Sequence, residues 1–144
     1  MLPDLLTQIF LVLMMNLKHQ IFSLLLLCMT LKNFYGFLGG RRNVFHQDIN
    51  GIITELSQLL KPSLCVLDGT VSMMTNGPTG GSLSDLKDTG TMVVSTDPVA
   101  ADAVGVELLG RTLADVPYIL MAEKAGAGIA DYHRLNPVLL TTVT

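Results

Sequence analysis

The hydrophobic and polar positions along the chain predict short strands alternating with helices. Ile9 to Met15, apolar throughout, reads as a strand that runs on into Lys18 and His19. Ile21 to Tyr35 is long enough for a helix, with Lys32 in its last turn and Gly36 as the terminating residue. Apolar residues at Ile49, Ile52, Ile53, Leu56, Leu59 and Leu60 follow helical spacing, and Lys61-Pro62 stops that amphipathic helix. Ser63 to Leu67 then reads as a buried strand, and the stretch from Met73 to Gly81 is too rich in Gly and Pro for regular structure. Thr91 to Ser95 is a third strand. Asp97-Pro98 reads as N-cap and first residue of a helix reaching about Leu109, and a last helix covers about Val116 to Lys124.

The order strand, helix, helix, strand, loop, strand, helix, helix predicts an α/β domain whose sheet is mainly parallel, with helices on both faces. In such a sheet, ligands bind beyond the carboxyl ends of the strands. Three apolar runs here end in polar groups: Lys18-His19, Asp68-Gly69 and Asp97-Pro98. These residues are therefore expected to converge on one edge; if Asp68, Asp97 and Asp102 share a pocket there with Lys18 or His19, their carboxylates lie within roughly 5 to 10 Å of each other or of those side chains.

Composition narrows the possible functions. The 144 residues suit one domain, 49% hydrophobic and only 15% charged, so much of the chain is expected to be buried or to face a partner. A net charge of -3 with scattered Lys and Arg offers no basic stripe and argues against a nucleic-acid partner. Lys18-His19-Gln20 splits the apolar amino-terminal third into pieces shorter than the roughly 20 residues of a spanning helix, so a membrane anchor is not expected. Cys28 and Cys65 lie apart within apolar runs and read as buried free thiols of a reducing, cytoplasmic compartment. Two cysteines cannot hold an iron-sulfur cluster, which takes about four ligands.

Among chemistry-bearing positions Asp102 stands out, because the helix around it is apolar almost all the way round and a buried carboxylate needs a partner. Asp68, Asp97 and Asp102 together would make an oxygen-rich site for a divalent cation such as Mg²⁺. The bland alternatives are a turn for Asp68, an N-cap for Asp97 and a solvent gap for Asp102. Lys18 and His19 offer an anion-binding cation and a general base, unless they only mark where a strand emerges into water. His46 and His133 are lone histidines. The loop Asn76-Gly77-Pro78-Thr79-Gly80-Gly81 would let backbone amides approach an anion, yet it is neither a Walker loop nor a Gly-x-Gly-x-x-Gly turn.

Lys18-His19, LKNFYG (Leu31 to Gly36), His46, KPSLCVLDG (Lys61 to Gly69), MMTNGPTGG (Met73 to Gly81) and STDPVAADAVGVELLG (Ser95 to Gly110), taken in order, resemble the domain-of-unknown-function family numbered 362. The resemblance runs from about Leu11 to Asp131 and adds Lys32, Asn33, His46, Asn76 and Gly77 as ligand-binding candidates beside Lys18, His19 and the aspartates. It names no substrate. It implies association with ferredoxin-type modules, so any iron-sulfur cluster would sit on a partner. The chain lacks the part that usually precedes the Lys-His segment, which makes it an expected incomplete domain, with either a missing amino-terminal segment or a homodimer covering an open sheet edge. Three readings follow: an enzyme or enzyme fragment using the strand-end residues, a non-catalytic binding or electron-transfer partner module, and an inactive fragment.

Overall fold

The structure, a computed structural model, describes residues 12–16, 30–38, 46–75 and 82–141. Its sheet has three strands in the order β1-β2-β3: β1 is Val12–Asn16, β2 is Leu64–Met73 and β3 is Leu86–Ser95. β1 runs parallel to β2, from Val12 opposite Leu64 to Asn16 opposite Asp68. β2 and β3 run antiparallel, from Cys65 opposite Ser95 to Met73 opposite Leu86, with a register shift between Gly69 and Val71.

The expectation of a mainly parallel sheet is thereby corrected, since the longest pairing is antiparallel. Two features of the chain produce this. β2 does not stop at Asp68-Gly69 but continues through the irregularity to Met73, and β3 starts at Leu86 rather than near Thr91. The added halves, Thr70 to Met73 and Leu86 to Gly90, are polar enough to read as loop. They hold together through backbone pairing and a Ser72–Thr89 hydroxyl contact of 2.9 Å. The connection between Met73 and Leu86 can return directly into an antiparallel pair, whereas a parallel pair would need a crossover helix of about 20 residues to carry the chain back along a strand of this length.

Four helices accompany the sheet among the described residues: α1 (Thr30–Asn33), α2 (Ile49–Leu59), α3 (Pro98–Leu108) and α4 (Pro117–Lys124). Helices on both faces were expected; among the described residues they cover one. α3 packs on β2 and β3, α1 reaches β1 and β2, and α2 packs on α4. Side chains alternate along a strand. Cys65 and Leu67 are accordingly fully buried, whereas Met92 and Val94 on the other face are 56% and 60% exposed.

The core lies between the inner sheet face and the helices, built from Leu31, Phe34, Ile53, Val99, Val106 and Ile119 among others. α3 is its axis: Pro98 to Ala103, Gly105 and Val106 are all buried, as its apolar circumference predicted. No described helix is long and apolar enough to cross a membrane.

Candidate functional site

Antiparallel pairing decides where the expected site residues go. Asp68 faces Met92 in the register, while Asp97 follows Ser95, which faces Cys65. The carboxyl ends of β2 and β3 therefore point in opposite directions: Asp97 follows the Cys65–Ser95 end of the ladder, whereas Asp68 lies inside β2, about 10 Å further along the strand at 3.3 Å per residue. Alternation also puts Asp68 on the half-exposed face with Val66, away from the face that buries Cys65 and Leu67. The three aspartates do not share a pocket. Among the described residues, no group of three or more His, Cys, Asp or Glu side chains is placed to hold a metal ion.

Asp102 is completely buried, as its helix implied, and its partners are backbone amides. Thr30 N donates to Oδ1 at 2.6 Å and Leu31 N to Oδ2 at 3.0 Å, 72 and 71 residues away in sequence. The carboxyl thus ties the start of α1 to the middle of α3, meeting amides that have no partner within so short a helix. Burial raises its pKa to about 7, against the lowering effect of the Leu31 and Thr30 amides, and the nearby Asp97 adds to the rise. The Cys65 thiol is free and buried. Burial, then the charges of Asp102 and Asp97, push its pKa up to about 12, so it is an inert thiol rather than a nucleophile.

Asp97 fulfils its predicted capping role and does more. Oδ1 accepts from Val99 N at 2.9 Å and Ala100 N at 3.0 Å, closing the first turn of α3. Oδ2 accepts from Ile129 N at 2.9 Å and so fixes the loop that follows α4. Gly128 permits this approach, since a Cβ there would lie 2.1 Å from Asp97 Oδ1 and 2.8 Å from Val99 Cβ. In sequence that loop, Ala125-Gly126-Ala127-Gly128, marks only where α4 ends. Its docking onto Asp97 has no local signature, because the two partners are 32 residues apart.

Around this joint lies a cavity of about 150 Å³, lined by Ser57 and Lys61 from the end of α2, Thr96 and Asp97 from the turn after β3, and Gly126 and Ala127. Lys61, Thr96 and Ser57 were not singled out as ligand residues from sequence, although Lys61 and Thr96 belong to motifs that were. The side chain of Ser57 is held by its bond to Thr54 O at 2.6 Å.

The other candidates are dispersed. Lys32 lines a narrow, mostly apolar cleft with Ile49, Ile53, Asp115 and Tyr118. Asn33 precedes the 3-10 turn Phe34–Phe37 without a side-chain capping bond. His46 opens the 3-10 turn His46–Asp48 that leads into α2, whose N-cap is Asp48. Asp68 accepts from Thr70 N at 3.0 Å and from Thr70 Oγ1 at 2.7 Å, the local turn-type bond its bland reading foresaw. Lys18, His19, Asn76, Gly77 and Cys28 lie outside the described residues.

No curated protein sequence and no solved structure matches the chain. A family model does, over residues 5–107, a span that takes in β1, both long strands and nearly all of α3 with Asp97 and Asp102. The chain therefore belongs to the family described as domain of unknown function DUF362.

Proposed function

We propose that this chain is a binding module for a small anionic group, seated in the cavity between Lys61, Thr96 and the Gly126-Ala127 turn. One observation carries this reading. The negative charge in the cavity wall, Asp97, already accepts three backbone N–H groups and sits on the positive end of α3. Lys61 is exposed and makes no ion pair with any described residue, so its ammonium sets the sign of the field. A volume of about 150 Å³ suits a phosphate- or carboxylate-sized group. A divalent cation is a poorer fit, because Asp97 and Asp102 both have their oxygens on amides. No reaction is assigned to the site.

The test is an amide-resolved NMR titration of the full chain with inorganic phosphate at fixed ionic strength, beside the Lys61→Gln variant. Saturable shifts at Thr96 and Ala127 with a Kd near 1 mM or tighter are expected, weakened about tenfold in the variant. Shifts that grow linearly without saturating, or that are the same in Lys61→Gln, would sink the proposal.

The open sheet face favours a second reading, the non-catalytic partner module. Met92 and Val94 stand exposed beside Val66, and contiguous exposed apolar surface commonly marks a protein contact. Under this reading the occupant is a ferredoxin-type iron-sulfur protein, and redox chemistry resides there. A reducing, cytoplasmic setting would suit both that partner and the free Cys65 thiol. The same NMR measurement decides it when a ferredoxin replaces phosphate: shifts must map to Met92 and Val94 and vanish in Val94→Asp.

A further inference from the structure

At the far end of α3 from Asp97 lies a larger cavity, about 470 Å³, in a part of the fold that mostly follows the family match. Its size falls in the range of small-molecule sites, roughly 300 to 1,000 Å³. The apolar part of its lining is Ala103, Val106 and Ala130, all buried, with Leu113 and the exposed Leu120 beside them. The polar part is unbalanced. Three carboxylates, Glu107, Glu123 and Asp131, meet one guanidinium, Arg111, and one imidazole, His133. The wall is negative whether or not His133 carries a proton.

Two of these carboxylates are held in place from within the cavity wall. Tyr132 Oη donates to Glu107 Oε2 at 2.5 Å, and Ala130 N donates to Glu123 Oε1 at 2.8 Å. Each bond engages a single oxygen of its carboxylate, and no ion pair among the described residues neutralises either group. The Tyr132 and His133 rings lie 4.2 Å apart between centroids, tilted by 34°, and add aromatic surface at the rim. Fixed carboxylates, aromatic edges and an apolar floor are what a compact organic cation requires: charge on the acids, ring faces for the cation, and buried contact for its hydrocarbon.

We propose that the cavity between α3, α4 and the Tyr132–Leu135 turn binds a small organic amine with an apolar body, its ammonium on Glu107 and Glu123. The site is independent of the anion cavity at the other end of α3, and either can fail without the other. Arg111 at the mouth sets the limit of the class, since it repels a ligand with a second cationic centre on that side.

The experiment is an amide-resolved NMR titration of the full chain with three probes of one shape and different charge: phenethylamine, 2-phenylethanol and phenylacetate. Phenethylamine is expected to give saturable shifts confined to Val106, Glu107, Leu113, Glu123 and Tyr132, with at least about tenfold tighter binding than the alcohol and no saturation by the acid. Glu107→Gln, whose amide oxygen still accepts from Tyr132, is expected to reduce the amine's advantage over the alcohol about fivefold or more. Equal binding of amine and alcohol, amine shifts that map elsewhere, or an advantage untouched by Glu107→Gln would each overturn the proposal. The probe comparison on the wild-type chain stands by itself if the variant does not fold.

Discussion

Two places on the β2–β3 ladder use the same residue type in opposite ways. At the Cys65 end, Asp97 and Asp102 accept five backbone N–H groups from α1, α3 and the loop after α4, and the buried Asp102 has its pKa raised to about 7. Inside β2, on the half-exposed face of the sheet, Asp68 bonds Thr70 two residues away, where water can reach it. A carboxylate in water needs no particular partner, but one deprived of water must organise the chain around itself. The carboxylates withdrawn from water thus tie distant segments together, whereas Asp68 bonds a close neighbour in its own strand.

The largest expected effect that tests this contrast is a pH dependence of stability. The folded pKa of Asp102, about 7, lies above an unfolded value of about 3.9, so the folded chain holds an extra proton between the two. Its contribution is fully present below about pH 4 and is lost as pH rises through about 7; three units at 1.36 kcal/mol each make this on the order of 4 kcal/mol. Urea denaturation at pH 5 and pH 8 should show the wild type losing stability relative to Asp102→Asn, whose amide cannot ionise. Matching slopes in the two proteins would mean that Asp102 ionises as readily in the fold as in water.

A smaller effect is expected at the joint held by Asp97. Gly128→Ala would set a methyl group 2.1 Å from Asp97 Oδ1, forcing the loop off the carboxylate and weakening both the Ile129 bond and the cap. A loss of about 2 kcal/mol is expected in the same denaturation assay. Full stability would show that the loop can move away without cost, and that Asp97 only caps its own helix. The smallest effect closes the comparison: Asp68→Ala removes the bonds to Thr70, two residues away at a half-exposed position, and should cost under about 1 kcal/mol. A loss as large as that from Gly128→Ala would place Asp68 in a structural role its surroundings do not reveal.

Much of the architecture was legible in the sequence because it depends on near neighbours. The spacing from Ile49 to Leu60 marked α2 to within a residue, Asp97-Pro98 marked the start of α3, and an apolar circumference marked both α3 and Asp102 as buried. The strand directions were not legible. A short apolar run has the same pattern in a parallel or antiparallel pair, and the polar half of β3 reads as loop until its backbone finds β2. From that one uncertainty followed the separation of Asp68 from Asp97 and Asp102.

Sequence by itself determined the spans of α2, α3 and α4, the withdrawal of α3 from water and the aspartate that caps it, since these follow from periodicity, side-chain volume and local hydrogen bonding within a few residues. Tertiary structure alone decided what the buried carboxyl groups touch. The Asp102 tie to Thr30 and Leu31, the Asp97 grip on Ile129 and the meeting of Lys61 with Thr96 and Gly126 join positions roughly 30 to 70 residues apart. Contacts of that kind carry no short-range pattern, because they exist only after loop closure brings the partners within hydrogen-bonding distance.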